Sequence, residues 1–283
     1  MFKGKLFRFR NFNQFSILEL NNKTLWFSNV ASFNDPFEFK FNVSTEPPKS
    51  ASDQFEFLKL TKEELESDTE KTDEEKDKIV LNYNDRLKLL PPEELKSYTK
   101  ERLEEVVKNN VRHIIENDST KVCCLSKKCD DPLMWAHYTD GMRGFVIIYN
   151  EHTTKDGKVI PALHVNYVDS VPTLDYNILK LKSQEDGFRL NTSILASKHH
   201  RWAYEEEIRL FSSIGHKYEI MNHVKLRNGG VMDLPDDAIY GVIIGYKMSE
   251  DNIRLIKDIC TTHDYKLYMA SANEQYGVDI KSI

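Results

Sequence analysis

The segment that decides the fold is WAYEEEIRLF at residues 202–211, where three consecutive carboxylates lead into an alternating apolar stretch. Side chains alternate between the faces of a β-strand, so Glu205, Glu207 and Arg209 are expected on one face and Glu206 on the other. Like charges on one face repel, and burying a carboxylate without a partner is costly. The segment therefore forms either an exposed strand entrance in which Arg209 offsets the carboxylates, or a polar site at the mouth of a sheet.

The composition is that of a globular protein. A chain of 283 residues with 40% hydrophobic and 30% charged side chains can bury a large core. No apolar run approaches the ~20 residues that span a bilayer, and charges interrupt residues 1–12, so neither a membrane span nor a signal peptide is predicted. Four cysteines do not make a disulfide framework in a chain this long, which favours the cytoplasm. No CxxC pair with matching histidines occurs, so no metal site is predicted.

The acidic residues are concentrated in one part of the chain. Residues 53–118 carry 19 acidic and 12 basic side chains, a net charge of −7, which leaves about +1 for the remainder of a chain whose total is −6. This pattern lacks the basic stripe of a surface that binds duplex nucleic acid. After Pro92, apolar residues recur at helical spacing. We therefore expect a single α+β domain over 1–283, with 44–120 as a charged helical insertion.

The other segments predict an α+β fold with mixed, mainly antiparallel sheets and packed helices. Strands are expected at 6–10, 24–28, 39–43, 121–126, 144–149, 239–245 and 265–270. Helices are expected at 15–20, between Asp131 and Gly141, at 185–200 and after Ser249, and residues 199–201 are expected to form a loop.

The hexamer FNDPFE at residues 33–38 combines turn chemistry with aromatic anchors. Asn34 and Asp35 can hydrogen-bond to nearby backbone, and Pro36 fixes φ. The hexamer is therefore a structural turn, or a loop that places Asn34 or Asp35 on a ligand hydroxyl.

The densest aromatic and polar cluster is LMWAHYTDGMRGF at residues 133–145. Helical spacing places Met134, His137 and Tyr138 on one face, where a histidine is more often a hydrogen-bonded core residue than a catalyst. Arg143 stands beside Gly144, where the backbone could approach a phosphate, although the segment is neither a P-loop nor a dinucleotide fingerprint.

Arg8 and Arg10 fall on one face of the first predicted strand. They form either a surface pair or an anchor for a phosphate or carboxylate, a task that suits the guanidinium fork.

Together, FNDPFE, LMWAHYTDGMRGF and WAYEEEIRL resemble a bacterial family catalogued as domain of unknown function 2971. That family has no settled activity, so this resemblance implies little about function. The order of elements is also similar to the ADP-ribosyltransferase fold. Such enzymes hold NAD with an early-strand Arg or His, line the nicotinamide pocket with Ser, Thr or Tyr from a middle strand, and carry a catalytic Glu-x-Glu at a later strand.

The second resemblance implies NAD as substrate and an ADP-ribosyltransferase-like core. Arg8 or Arg10 would hold NAD, and Ser28 or Ser126 would line the nicotinamide pocket. The acceptor is unknown.

In the Glu-x-Glu pattern, Glu207 would be the catalytic carboxylate that stabilises an oxocarbenium-like transition state, and Glu205 would polarise or deprotonate the acceptor. Arg209 would keep both carboxylates ionised. Tyr138 or Trp135 could stack on the nicotinamide ring.

Two other classes of protein stay open. Asp35, Glu38, Glu205 and Glu207 could gather around Mg²⁺ in a metal-dependent phosphodiesterase or nuclease. Alternatively, the chain is a non-catalytic module whose aromatic patch binds a ligand or partner, and its carboxylates form ion pairs alone.

Overall fold

A computed structural model describes residues 2–44, 120–150, 162–175, 193–213 and 224–283, with the isolated positions 46, 72, 74, 97, 100, 101, 103, 104 and 160. The chain divides into two compact units. The first comprises Met1–Glu38, Asn117–Asp169 and Ala196–Ile283, and the second Phe39–Glu116 and Ser170–Leu195.

The strands of the described residues are β1 (Leu6–Arg10), β2 (Thr24–Trp26), β3 (Ser28–Asn29), β4 (Asn42–Val43), β5 (Thr120–Ser126), β6 (Phe145–Tyr149), β7 (Ala162–His164), β8 (Asn166–Val168), β9 (Thr173–Leu174), β10 (Ser197–His199), β11 (Glu207–Ser213), β12 (Val231–Asp233), β13 (Ile239–Gly245), β14 (Lys266–Ala272) and β15 (Val278–Ser282). The α-helices whose bounds are described are α1 (Gln14–Asn21), α2 (Pro132–Tyr138) and α3 (Glu250–His263), and 3₁₀-helical turns form at Val30–Ser32 and His200–Glu205.

A mixed, mostly antiparallel sheet organises the first unit. Its strands run in the order β15-β14-β13-β6-β1-β5-β11-β7, and β3 also pairs with β5. The β13–β14 pair is parallel, and α3 makes the crossover that such a pair requires. The predicted α+β class with mainly antiparallel strands is thus confirmed.

Alternation along β1 gives the sheet two apolar faces. Leu6 belongs to a core that includes residues of α1 and α3, while Phe7 and Phe9 belong to a second core with Met134 and Trp135 of α2. We call these the α1/α3 face and the α2 face.

Register then assigns the charged strand to a face. Phe7 lies opposite Ser126, and Ser126 lies opposite Glu207. Cross-strand partners share a face. Glu207 therefore lies on the α2 face, whereas Arg8, one residue from Phe7, lies on the α1/α3 face.

Short polar side chains begin the helices, as the sequence predicts. The Asp131 carboxylate accepts from the backbone N–H groups of Leu133 and Met134, and Pro132 follows in the first turn. The Ser249 side chain caps α3 by accepting from Asn252 N. These caps fix where each helix leaves the sheet.

The second unit holds β4 and β9, which pair in parallel. Positions 97, 100, 101, 103 and 104 are helical, and Leu103 is buried. Most of 44–120 lies outside the described residues, so the helical insertion stays a prediction.

Several expected boundaries were wrong. The predicted strand 24–28 is two strands separated by the buried Phe27, and the predicted strand 39–43 is reduced to Asn42–Val43. Of the predicted helix 185–200, residues 185–192 lie outside the described ones, residues 193–195 are helical as predicted, and Ser197–His199 instead form β10, which pairs with β8. The predicted loop 199–201 is the end of β10 and the start of a 3₁₀ turn. Phe39 has a left-handed backbone with φ 59°, which delays the start of β4, and pairing with β8 makes β10 a strand.

In the described ranges, no helix is both long and apolar enough to cross a membrane.

Gly144 allows β6 to begin against β1. A Cβ at this position would clash with the backbone carbonyl oxygen of Arg10. We expect Gly144→Ala to lower the free energy of unfolding by about 1–3 kcal/mol, the usual cost of overpacking. Urea unfolding of wild type and variant measures this difference in the free energy of unfolding. In the control Gly277→Ala, the nearest atoms belong to the flexible Asn273 side chain, so a smaller loss is expected. Equal unfolding midpoints for wild type and Gly144→Ala would contradict this close approach.

Candidate functional site

A turn, rather than a continuous strand, brings Glu205 and Glu207 together. Glu205 ends the 3₁₀ turn, Glu206 adopts a left-handed conformation with φ 40°, and β11 starts at Glu207. Ser126 Oγ donates to the Glu205 carbonyl oxygen at 2.6 Å and so holds the turn against β5. Glu206 projects outward and pairs with Lys128 at 2.7 Å.

Five charged side chains form a buried network, which we call the carboxylate network: Glu38, Lys198, Glu205, Glu207 and Arg209. Lys198 Nζ lies 2.6 Å from Glu205 Oε2, 3.2 Å from Glu207 Oε2 and 3.1 Å from Glu38 Oε1. Arg209 Nε donates to Glu207 Oε1 at 2.8 Å, and Arg209 Nη2 to Glu38 Oε2. All five side chains are at most 5% exposed. The expectation of an exposed strand entrance is therefore wrong.

Aromatic residues complete the surroundings of the network. Tyr138 Oη donates to Glu205 Oε1 at 2.6 Å. Trp202 covers Lys198, whose Nζ lies 4.9 Å from the ring centroid, and the Phe33 ring lies 5.5 Å from the Arg209 guanidinium. The backbone N–H of Glu207 donates to Tyr167 Oη at 2.8 Å. Water is thus kept from most of the charged groups.

The two glutamates have pKa values shifted in opposite directions. Burial raises the pKa of Glu205, and the charge of Glu207 adds to this, although Lys198 opposes it. Burial would also raise the pKa of Glu207, but Arg209 and Lys198 together lower it to about 2. Glu207 is therefore ionised at neutral pH, while Glu205 holds a proton more readily. Such divergence is typical of acid–base pairs.

A cavity of about 280 Å³ lies beside this pair. β5 pairs with β1 at Phe7–Ser126 and with β3 at Ser28–Val122 and Asn29–Lys121, which leaves a gap between β1 and β3. The predicted site residues that line the cavity are Arg8, Arg10, Ser28, Asn34, Ser126, Tyr138, Glu205 and Glu207. The gap in the sheet thus gathers most of the candidates named from the sequence.

Arg8 and Arg10 share a carboxylate partner, Glu19 of α1. Arg8 Nη1 lies 2.7 Å from Glu19 Oε1, and Arg10 Nε donates to Glu19 Oε2 at 2.7 Å. Arg8 also donates to Cys123 Sγ at 3.0 Å and to the Trp26 carbonyl oxygen at 2.9 Å. We call Arg8, Arg10 and Glu19 the arginine triad. Arg8 therefore connects β1 to β2 and β5 beside the gap.

The other predicted residues have different surroundings. Trp135 is fully buried, donates from Nε1 to the Cys129 carbonyl oxygen at 2.7 Å and packs edge-on against Phe9, so it is a core residue. Asp35 Oδ1 accepts from Phe37 N, the bond of a structural turn. Its neighbour Asn34 lines the cavity and hydrogen-bonds to Tyr138.

His137, Arg143 and Arg209 do not line the cavity. His137 is exposed and contacts Tyr204 Oη through Nδ1 at 3.2 Å. Arg143 is exposed and donates to the Asp140 carbonyl oxygen at 3.0 Å. Arg209 is fully buried behind Glu207.

Sequence reasoning missed Lys198, Glu19 and Tyr167. Lys198 falls in a segment whose pattern predicts a helix, and Tyr167 in a short strand with no motif. Glu19 belongs to no motif, and its burial at 4% exposed, which requires a cationic partner, is visible only in the structure. Their roles depend on tertiary contacts.

The acidic residues proposed for Mg²⁺ surround basic groups instead. Glu38, Glu205 and Glu207 do converge, but on Lys198 and Arg209, and Asp35 stays in its turn. Across the described part of the chain, no group of three or more His, Cys, Asp and Glu side chains is arranged to hold a metal ion.

Fold and site together define an α+β protein whose sheet opens into a cavity with a buried glutamate pair on its wall. Residues 134–210 match the family model described as "Protein of unknown function (DUF2971)". The family resemblance drawn from the sequence is confirmed by this match, which spans most of two of the three sequence blocks. Comparisons with curated proteins and with solved structures find no match.

Lys198 is expected to be essential to the stability of the network. Lys198→Met removes a charge from among three buried carboxylates, which typically costs about 3–5 kcal/mol of unfolding free energy. Lys128→Met is the matched control, because Lys128 pairs with Glu206 at the surface and should matter by less than about 1 kcal/mol. Urea titration of both variants provides the comparison, and similar losses would argue against the network's role.

Glu207 should make stability depend on acid pH. Its folded pKa of about 2 lies below the unfolded value of about 4.3, so between these values the unfolded chain binds more protons. Its contribution is complete above about pH 5 and is lost as pH falls towards 2. We expect the stability difference between wild type and Glu207→Gln to shrink by roughly 3 kcal/mol over this window. A difference independent of pH in urea titrations would refute the lowered pKa.

Proposed function

We propose that the chain is an NAD-dependent, ADP-ribosyltransferase-like enzyme that breaks the bond between nicotinamide and ribose. The observation that carries the proposal is the pair Glu205 and Glu207, which borders one cavity and whose two pKa values are shifted apart. An ionised carboxylate stabilises the positive charge that develops on the ribose, and a second carboxyl group nearby can exchange a proton.

The hydrogen bonds of the two carboxylates support different roles. Glu207 receives two from Arg209, one from Lys198 and one from the Cys124 thiol, and Glu205 receives one each from Tyr138 and Lys198. Two carboxylate oxygens offer about four acceptor positions. Glu207 is therefore held as a carboxylate whose charge can stabilise the ribose cation, and Glu205 can still accept from an acceptor O–H or N–H.

In the proposed step, the bond from ribose C1′ to the nicotinamide nitrogen breaks, and its electron pair neutralises the ring. The acceptor atom bonds to C1′, and its proton passes to Glu205. Glu207 stays ionised throughout. Tyr138 orients Glu205 by donating to its Oε1.

The size of the cavity limits which part of NAD it holds. At about 280 Å³ it is slightly below the usual ~300–1,000 Å³ range of small-molecule pockets. It suits the nicotinamide ribose half, with the adenosine half outside. The arginine triad borders the cavity and carries one more positive than negative charge, which favours a phosphate nearby.

A metal-dependent phosphodiesterase is less consistent with the geometry, because a metal ion needs direct coordination by carboxylate oxygens that Lys198 and Arg209 already occupy. A non-catalytic binding module remains the competing class. A measurement of catalytic activity decides between this module and the enzyme.

Glu207→Gln tests the proposal, with Glu206→Gln as the matched control one residue away. Removing a group that stabilises charge in the transition state typically costs about 10²–10³ in rate. The assay measures release of nicotinamide from NAD by chromatography, with water or a cell extract as the acceptor. We expect the rate of release to fall by this factor in Glu207→Gln and to change little in Glu206→Gln.

Thermal unfolding with NAD completes the test. NAD at 100 times its dissociation constant should add about 2.7 kcal/mol to the stability of wild type. Absence of both stabilisation and nicotinamide release in the wild type, or full activity in folded Glu207→Gln, would leave the non-catalytic module as the better description.

A further inference from the structure

The charges of the carboxylate network do not balance. Three carboxylates, those of Glu38, Glu205 and Glu207, meet two cations, Lys198 and Arg209. With every group ionised, the network has a net charge of −1 in surroundings that exclude most water. A buried net charge is costly unless another group compensates it.

The arginine triad has the opposite imbalance. Arg8 and Arg10 share the single carboxylate of Glu19, which leaves a net charge of +1. Both Glu19 oxygens are already occupied, since Oε1 also accepts from Trp26 N at 3.0 Å. Arg10 is a quarter exposed, so its guanidinium can still reach a further partner.

Within the described ranges, the other buried charged groups leave these totals unchanged. The remaining charged residues among those described as buried, Asp35 and Lys121, have opposite signs. Burial raises the pKa of the phenol and thiol groups that face the clusters, so they are neutral at pH 7. These groups are Tyr138, Tyr167, Tyr204, Tyr149, Cys123 and Cys124.

Residues of both clusters line the same cavity: Glu205, Glu207 and Lys198 from one, Arg8 and Arg10 from the other. We propose that this cavity is built for a small dipolar ligand, with a cationic group against Glu205 and Glu207 and an anionic group against the arginine triad. The proposal rests on the proposed function, because the pyridinium ring and phosphate of nicotinamide mononucleotide carry these signs.

A ligand cation should act most strongly on the ionisation of Glu205. Burial raises the pKa of this carboxyl group, and Tyr138, Lys198 and Glu207 are the groups that contact or oppose it. A cation beside Glu205 favours its ionised form. Proton release to the buffer is therefore expected on binding of a cationic probe and not on binding of a neutral analogue.

The test is calorimetric titration of the full chain with nicotinamide mononucleotide, the N-methylnicotinamide cation, ribose 5-phosphate and neutral nicotinamide. We expect the mononucleotide to bind at least about tenfold more tightly than either charged fragment, and the cation at least about tenfold more tightly than nicotinamide, since one pK unit of interaction is tenfold. Repeating the titrations in buffers of different ionisation enthalpy counts the released protons.

Two variants assign each charge preference to its cluster. Glu205→Gln neutralises the carboxylate network, so the preference for the cation over nicotinamide should disappear. Arg10→Met neutralises the triad, so the mononucleotide should lose its advantage over the cation. Glu206→Gln and Arg143→Met are the surface controls, and thermal melts check folding. If a variant unfolds, the titrations of the wild type with the four probes still decide whether the cavity prefers a dipolar ligand.

Phosphocholine separates this inference from the proposed function, because it is dipolar but has no glycosidic bond. Binding of phosphocholine and mononucleotide without NAD cleavage would support the dipolar site and overturn the enzyme. Cleavage of NAD with equal affinity for charged and neutral probes would overturn the dipolar site. Failure of every probe to bind would overturn it as well.

Discussion

The ammonium group of Lys198 is the contact on which the site depends, because it joins three carboxylates that would otherwise repel. Glu38 comes from the loop after the FNDP turn, Glu205 from a 3₁₀ turn and Glu207 from the first position of β11. Removing one cation from such a cluster leaves uncompensated charge in a medium of low dielectric constant. The attraction thus holds three separate parts of the chain at one point, and Arg209 adds a second cation behind Glu207.

The gap in the sheet makes that cluster accessible. If β1 were paired with β5 along its full length, the α2 face would be closed at this point. Instead, β5 is shared between β1 at one end and β3 at the other. The cavity is therefore a consequence of strand pairing, and strands β1, β3, β5 and β11 supply much of its lining. Positioned groups on rigid elements are what binding and catalysis need.

How far the sequence predicts this molecule depends on the range of the forces involved. Asp131-Pro132, Ser249 and the alternation of 6–10 locate α2, α3 and β1 correctly, because caps and periodicity act within a few residues. The same rules place Glu205 and Glu207 on one side, although the cause is the left-handed Glu206 and not strand alternation. Such local rules do not predict the roles of Lys198 and Glu19, because the partners of each residue are brought close only by the folded sheet. Trp135 shows the reverse error, because an aromatic residue in a polar motif is here a core residue.

The neighbouring Cys123 and Cys124 point to opposite faces of the sheet, one towards the arginine triad and the other towards Glu207 and Arg209. Burial raises the pKa of both thiols, to about 11 for Cys123, and the nearby arginines do not overcome it. Thiolate is the species that reacts with oxidants and disulfides. Both sulfur atoms next to the charged clusters are therefore neutral thiols at pH 7, and neither adds a charge to the two faces of the cavity.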